Sequence, residues 1–226
     1  MRRVLYGACL AALLVASPAG AQEKSGATPI TVAILLFNQP YITELAGPLD
    51  VYHHVPSERL RVFTVSDTER ELVTYEGMPF RTNYTIDNAP KIDILVVPSG
   101  AGSLDADPRN GRVISWVKEV SRRAKLVTSH CEGAFVLAAA GLLDDKDATT
   151  FHTDTDTLQK RYPACRVIKG QRIVVDGNVI TSAGGLASYE GALYVVAKLF
   201  GREEAQRIAT ALVFGQSNLQ EVDRLE

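Results

Sequence analysis

Hydrophobic positions in this chain fall into short continuous runs separated by segments of helical spacing, and that rhythm sets the fold expectation. Residues 30–37, ITVAILLF, form an unbroken apolar run, the pattern of a strand covered on both faces. Residues 60–66 and 92–97 read as further strands, with helices expected over 45–54 and 108–123. Two more helices, 187–200 and 203–214, are parted by Gly201. Residues 74–84 and 172–181 look like hairpins, the second turning at Asp176, Gly177 and Asn178. Strands that alternate with helices predict an α/β fold, a mostly parallel sheet covered on both faces, with reactive groups at the carboxyl ends of its strands. Neither a repeat nor a linker divides residues 30–226, so a single domain is expected there.

One junction carries candidate chemistry. In KLVTSHCEGAFVLAAAG, residues 125–141, Leu126 and Val127 suit an interior strand, and Ala134 to Ala140 suit a small-residue helix. Cys131 falls at the join. A side chain at such an elbow projects over the carboxyl edge of the sheet, where unpaired N–H groups of the first helical turn favour a thiolate. Glu132 places a like charge beside it and opposes that shift. The competing reading is a small buried cysteine with no chemistry.

Composition narrows the function classes. At 226 residues, 46% hydrophobic and net charge −2, the chain supports one core and has no basic excess to recommend nucleic acid. Arg2 and Arg3, the apolar run 4–16 and the small-residue exit at Ala19, Gly20 and Ala21 have the form of a secretory signal peptide. Cleavage is expected after Ala21, with residues 22–29 as a flexible leader and a periplasmic or secreted product. The apolar run is too short for a permanent membrane span. Of the three cysteines, Cys9 lies in the signal, leaving Cys131 and Cys165 as two expected free thiols. The chain lacks the paired Cys or His spacing of zinc sites, so no metal and no cofactor is expected.

Four further pieces, taken in order, make a specific pattern: ELAGPLDV at 44–51, LVVPSGAG at 95–102, SHCEGA at 129–134 and ATTFH at 148–152. With DGNVITSAG at 176–184 they resemble the ThiJ/PfpI superfamily, the protein deglycase and isonitrile hydratase group, across nearly the whole chain after the signal. The resemblance implies a flavodoxin-like three-layer sandwich with a nucleophile elbow. It also implies that Cys131 is the nucleophile and Glu44 the neighbouring acid. Chemistry agrees: a carboxyl group buried beside a thiol is pushed toward its protonated form and can donate a proton. Glu44 can equally be read as a helix N-terminal carboxylate. Relatives resembling isonitrile hydratases usually carry aspartate where this chain has Glu44, and threonine where it has Glu132. The deglycase-like branch has glutamate at the acid position and a histidine near the cysteine, for which His152 is the local candidate; a surface histidine is the alternative.

The remaining candidates are weaker, Glu132 among them as a catalytic residue beside Cys131. Adjacent strand residues point to opposite faces, so His130 is expected to turn away from the sulfur. His53 and His54 are expected on the surface, and Trp116 in helix packing. Gly100, Gly102, Gly184 and Gly185 are candidates for tight turns whose N–H groups hold an anionic intermediate. The resulting expectation is an exported enzyme acting on a small electrophilic carbon. An isonitrile would be hydrated to an N-substituted formamide, or a 2-oxoaldehyde converted to a 2-hydroxy acid. A ligand-binding or redox-sensing module is the alternative from another class, since the same fold serves as the sensing domain of regulators; a homodimer is compatible with either.

Overall fold

The computed structural model describes residues 28–214. The expected export signal, most of the leader and residues 215–226 lie outside the described residues. Chain order is β1 (Ile30–Leu35), α1 (Ile42–His53), β2 (Leu60–Ser66), β3 (Leu72–Val73), β4 (Pro79–Phe80), β5 (Tyr84–Thr85) and β6 (Ile94–Val97). A 3-10 turn at Asp107–Arg109 leads to α2 (Gly111–Ser121), β7 (Leu126–His130), α3 (Gly133–Ala139), β8 (Asp147–Ala148) and α4 (Thr155–Arg161). Then follow β9 (Arg166–Val167), β10 (Ile173–Asp176), β11 (Val179–Ser182), α5 (Ala187–Phe200) and α6 (Arg202–Ala211).

Seven strands form the central sheet in the order β10-β11-β7-β6-β1-β2-β5, parallel throughout except for the β10–β11 hairpin. β1 is paired on both edges, by β2 and β6, and helices cover both of its faces, which explains its unbroken apolar run. Ala33 and Leu35 pack with Val113 and Val117 of α2 and Phe135 of α3. Val32 and Ile34 pack on the other face with Val51 of α1, Leu193 of α5 and Ile208 of α6. Two apolar layers therefore sandwich the sheet, each fully buried Val, Leu or Ile contributing roughly 1.5–3 kcal/mol. The α/β three-layer expectation holds. The chain leaves β1 toward β2 on one side and continues from β6 to β7 on the other, opening a crevice at the carboxyl ends of β1, β6 and β7.

Local boundaries differ from the expectation in instructive ways. α1 starts at Ile42 and continues through Pro48, placing Glu44 in its first turn. A Cβ on Gly47 would lie 3.0 Å from the Tyr189 ring, so this glycine lets α1 approach α5. The helix expected from 108 starts at Gly111, after Asn110 caps it by accepting the Val113 N–H at 3.3 Å. The hairpin expected over 74–84 is formed by Leu72–Val73 against Pro79–Phe80, while Tyr84–Thr85 pairs instead with the edge of the main sheet. The turn residue Thr74 fixes that earlier register, since its hydroxyl accepts the Met78 N–H and its own N–H donates to the Met78 carbonyl. The second expected hairpin forms as β10 and β11, with Gly177 at φ +64° in its turn.

Candidate active site

Cys131 stands immediately after β7 at φ +55°, a backbone conformation costing a non-glycine residue roughly 1–2 kcal/mol. Neighbouring strands hold it there. Its N–H donates to the Ser182 carbonyl of β11 at 2.9 Å, and its carbonyl accepts the Thr150 hydroxyl at 2.9 Å. α3 can begin so close to β6 only because residue 133 is glycine: a Cβ there would sit 2.1 Å from the Val97 carbonyl oxygen. The expected elbow is thus present, and its strain is held by long-range contacts.

Glu44 reaches this cysteine from α1. A Cβ on Gly184 would approach the Cys131 Sγ to 2.7 Å and the Glu44 Oε1 to 2.9 Å, so all three residues share one small volume. Glu44 Oε1 accepts the Gly185 N–H at 2.6 Å and its Oε2 accepts the Ser188 hydroxyl at 3.0 Å. Both donors belong to the approach and first turn of α5, so the carboxyl group meets the N-terminal end of a helix other than its own. Burial pushes Glu44 up to about 7; the Gly185 and Ser188 hydrogen bonds oppose the rise and Glu132 adds to it. Near neutral pH this carboxyl group can therefore hold a proton or release one.

The sulfur is 5% exposed at the residue level, and its surroundings favour the thiol. Burial, the charges of Glu44 and Glu132 and a hydrogen bond with Glu132 push the Cys131 thiol far above its usual range, with the Ser99 hydroxyl opposing. Ser99 is 1% exposed. β6 pairs Val97 with Ser129, and continuing that register brings Ser99 beside Cys131. Tyr41 stands half-buried at the mouth, raised by burial, then by Glu132 and Cys131, with its ring edge-on to Tyr75.

The other candidates separate. His130 is buried, turned toward α5 near Gly191, with Nδ1 2.8 Å from the Ser182 hydroxyl; burial pushes it down to about 3, so the ring is neutral. His152 is exposed and its ring lies tilted by 56° against Phe151, 4.3 Å between centroids. His53 and Trp116 lie on α1 and α2, His53 exposed and Trp116 against the sheet's apolar layer. Two of the four glycines expected to supply free N–H groups are already engaged: Gly100 donates to the Ser103 hydroxyl at 2.9 Å and Gly185 to Glu44. Gly100 instead serves close approach, since a Cβ would sit 2.5 Å from the Gln39 carbonyl. Gly102 is turned against Asp107, and Gly184 packs against the sulfur. Cys165 is buried and free, and burial pushes it up to about 11. Among the described residues no group of three or more His, Cys, Asp or Glu side chains is placed to hold a metal, and no helix is long and apolar enough to cross a membrane.

Sequence reasoning missed Ser99, Tyr41, Thr150 and Ser188. Ser99 lay inside the LVVPSGAG piece, and a polar residue ending an apolar strand was its available signal.

Comparison with known proteins gives consistent relatives. The model of the DJ-1/PfpI family matches residues 30–198. An isonitrile hydratase of Pseudomonas putida is 31% identical over 186 residues, covering 82% of this chain and 78% of that protein. The HTH-type transcriptional regulator GbdR of Pseudomonas aeruginosa is 26% identical over 191 residues, and the chain spans only 51% of its length. Among solved structures, a THiJ/PfpI family protein from Pseudomonas syringae superposes with TM-score 0.76 at 24% identity, covering 88% of this chain and 82% of that one.

Proposed function

From its membership of the DJ-1/PfpI family, to which this chain belongs, we propose that it is a cysteine-dependent enzyme acting on a small electrophilic carbon, with Cys131 as nucleophile and Glu44 as proton donor. The observation that carries this reading is the meeting of a thiol on a strained elbow with a carboxyl group pushed up to about 7. Similarity to an isonitrile hydratase over 82% of the chain favours an isonitrile. In that reaction sulfur bonds to the terminal carbon, which takes a proton from Glu44 to give a thioimidate. Water then adds to this carbon and the C–S bond breaks, releasing an N-substituted formamide and the thiol.

The glutamate at position 44 supports a second reading, because it is the residue the deglycase-like branch carries. A 2-oxoaldehyde would form a hemithioacetal with Cys131; proton transfer from its aldehyde-derived carbon to the ketone carbon would give a 2-hydroxyacyl thioester, and water would then cleave the C–S bond to release a 2-hydroxy acid and the thiol. A third reading, ligand binding without turnover, draws on the similarity to transcriptional regulators. The signal-like pattern of residues 1–21 supports export of the chain. The test is product formation from an isonitrile and from methylglyoxal under reducing conditions, beside Cys131→Ala. Formamide formed only with Cys131 intact is the expected result, lactate selects the second reading, and binding of either compound without product selects the third.

A further inference from the structure

The edge of the sheet opposite Cys131 carries a second cavity. It has a volume of about 680 Å³, within the roughly 300–1,000 Å³ range of small-molecule sites, and opens between the last turn of α1, the loop into β2 and α6. Tyr52 lines it from the last turn of α1, roughly 12 Å along the helix from Glu44 in the first turn, and no side chain of the Cys131 site takes part. Its charge is one-sided. Arg59, Arg61 and Arg207 line it against the carboxylate of Glu204, leaving two positive charges in excess before His53 and His54 are counted. Glu204 braces two of the three: it accepts Arg207 Nε and Nη2 at 3.0 Å each and Arg59 Nη1 at 3.4 Å, and the Arg207 hydrogen bonds hold its carboxyl group below the usual range. Arg59 also lies over the Phe200 ring, 4.5 Å from its centroid. Arg207 Nη2 donates to the His54 carbonyl at 2.7 Å, which covers part of the negative end of α1 that would repel an anion. Arg61 is bound only through Nε, to the Ser57 carbonyl at 3.4 Å; among the described residues its two terminal nitrogens, Arg59 Nη2 and Arg207 Nη1 have no acceptor.

Tyr52 gives an independent sign of a ligand. It is 1% exposed, and its hydroxyl is buried with no hydrogen-bond partner among the described residues. A buried donor left unused is costly, and an acceptor brought into the cavity removes that cost. We propose that this cavity binds a small organic phosphate monoester, its phosphate held by the Arg59, Arg61 and Arg207 guanidinium groups, with the Tyr52 hydroxyl as a further donor. Planar N–H forks suit phosphate oxygens, and a dianion matches the excess of two positive charges, which a monocarboxylate does not. The organic part is required by the remaining walls. Val55, Leu60 and Val62 are apolar, and inorganic phosphate would leave them and most of the volume unfilled. Binding here is non-covalent and does not depend on the chemistry assigned to Cys131.

The experiment is calorimetric titration of the full chain with phenyl phosphate, inorganic phosphate and phenylacetate at matched ionic strength, about 0.1 M. Phenyl phosphate should saturate one site with Kd below about 1 mM, at least about tenfold tighter than either of the others. Arg61→Gln should weaken it by about tenfold to a hundredfold. Arg61 is exposed and stands outside the Glu204 ion pairs, so this variant leaves the core and the brace intact. Tyr52→Phe should weaken binding by about tenfold, and Cys131→Ala should leave it unchanged. Equal affinity for all three anions, or a Tyr52→Phe variant that binds like the wild type, would mean that the arginines are an ordinary charged surface and overturns the site. Phenyl phosphate that binds unaltered in Arg61→Gln, or loses its affinity in Cys131→Ala, sits elsewhere and overturns it too, as does the absence of saturable binding in the wild type.

Discussion

Glu44 and Asp93 are both carboxyl side chains buried against the same parallel sheet, at 2% and 5% exposure, yet their acidities move in opposite directions. Asp93 stands at the amino edge, before β6. Its Oδ2 accepts the Thr31 N–H at 3.1 Å and the Thr31 hydroxyl at 3.0 Å, and its Oδ1 meets Lys91 at 2.9 Å and Lys125 at 3.8 Å. Burial pushes it up, but these partners outweigh burial and hold it below its ordinary value. At the carboxyl edge, Glu44 has two neutral donors and faces a second carboxyl group and a thiol. Low exposure alone thus does not set acidity: Asp93, closer to solvent and supplied with cations, is a fixed anion, whereas Glu44, set deeper and without them, keeps an exchangeable proton. The amino edge ties β1 to β6; the carboxyl edge keeps charge it has not neutralised.

The sharpest way to break this contrast is to remove each charge in turn. Glu44→Gln should lower kcat/KM for the accepted substrate by about 10²–10⁴, the usual worth of a positioned acid, while the chain stays folded. Asp93→Asn should do the reverse. Loss of its charged hydrogen bonds should cost roughly 1–3 kcal/mol in denaturant unfolding, with kcat/KM per folded molecule nearly unchanged. Steady-state kinetics and urea titrations of both variants decide it, and an Asp93 variant as inactive as the Glu44 one would erase the division between the edges.

Backbone substitution sharpens the comparison with a smaller effect. Gly177, in the β10–β11 turn at the amino edge, has φ +64°, and a Cβ there would meet nothing closer than Lys146 Nζ at 3.7 Å. Gly177→Ala should therefore cost only the left-handed penalty, roughly 1–2 kcal/mol. Gly184 has φ +82°, and a Cβ would lie 2.4 Å from the Cys131 Cβ. Gly184→Ala adds overpacking to that penalty, roughly 2–4 kcal/mol together, and pushes the sulfur from Glu44. Urea unfolding should rank the two this way, and only Gly184→Ala should slow alkylation of Cys131.

The amino acid sequence made the sheet visible because a strand covered on both faces must be apolar at every position, as in β1 and β6. Cys131 was visible for a related reason: a polar, glycine-bearing turn between a buried strand and a small-residue helix admits few geometries. The resemblance placed Glu44 beside the sulfur, but what holds that carboxyl group there was not visible. Gly185 and Glu44 are separated by 141 positions, and a serine such as Ser188 gives no local sign that a carboxylate will reach it. The oxyanion expectation for Gly100 and Gly185 went astray likewise, since local glycine geometry does not reveal which distant acceptor will engage an N–H. Glu132 was read as a like charge beside the cysteine and as a weaker catalytic candidate; its buried, unpartnered oxygen appears only in the folded chain.

The smallest expected effect tests the comparison through proton linkage. Glu44 has a folded value of about 7 against an ordinary 4.5, so between those pH values the folded chain keeps a proton that the unfolded chain has released. Its contribution is therefore intact below pH 4.5 and lost as pH rises through 7, roughly 3–3.5 kcal/mol in all. Asp93 runs the other way: its folded value lies below the ordinary 3.8, so its contribution is complete above that pH and is lost as acid protonates the folded chain. Unfolding free energies of the wild type, Glu44→Gln and Asp93→Asn should be measured from pH 3 to 8. The wild type should lose stability relative to Glu44→Gln across pH 4.5–7, while its difference from Asp93→Asn stays level there and changes only in acid. If the wild-type and Glu44→Gln curves run parallel through neutrality, Glu44 is as firmly ionised as Asp93. The proton donor would then have to be sought elsewhere at the carboxyl edge, with the Tyr41 phenol one group that still holds a proton.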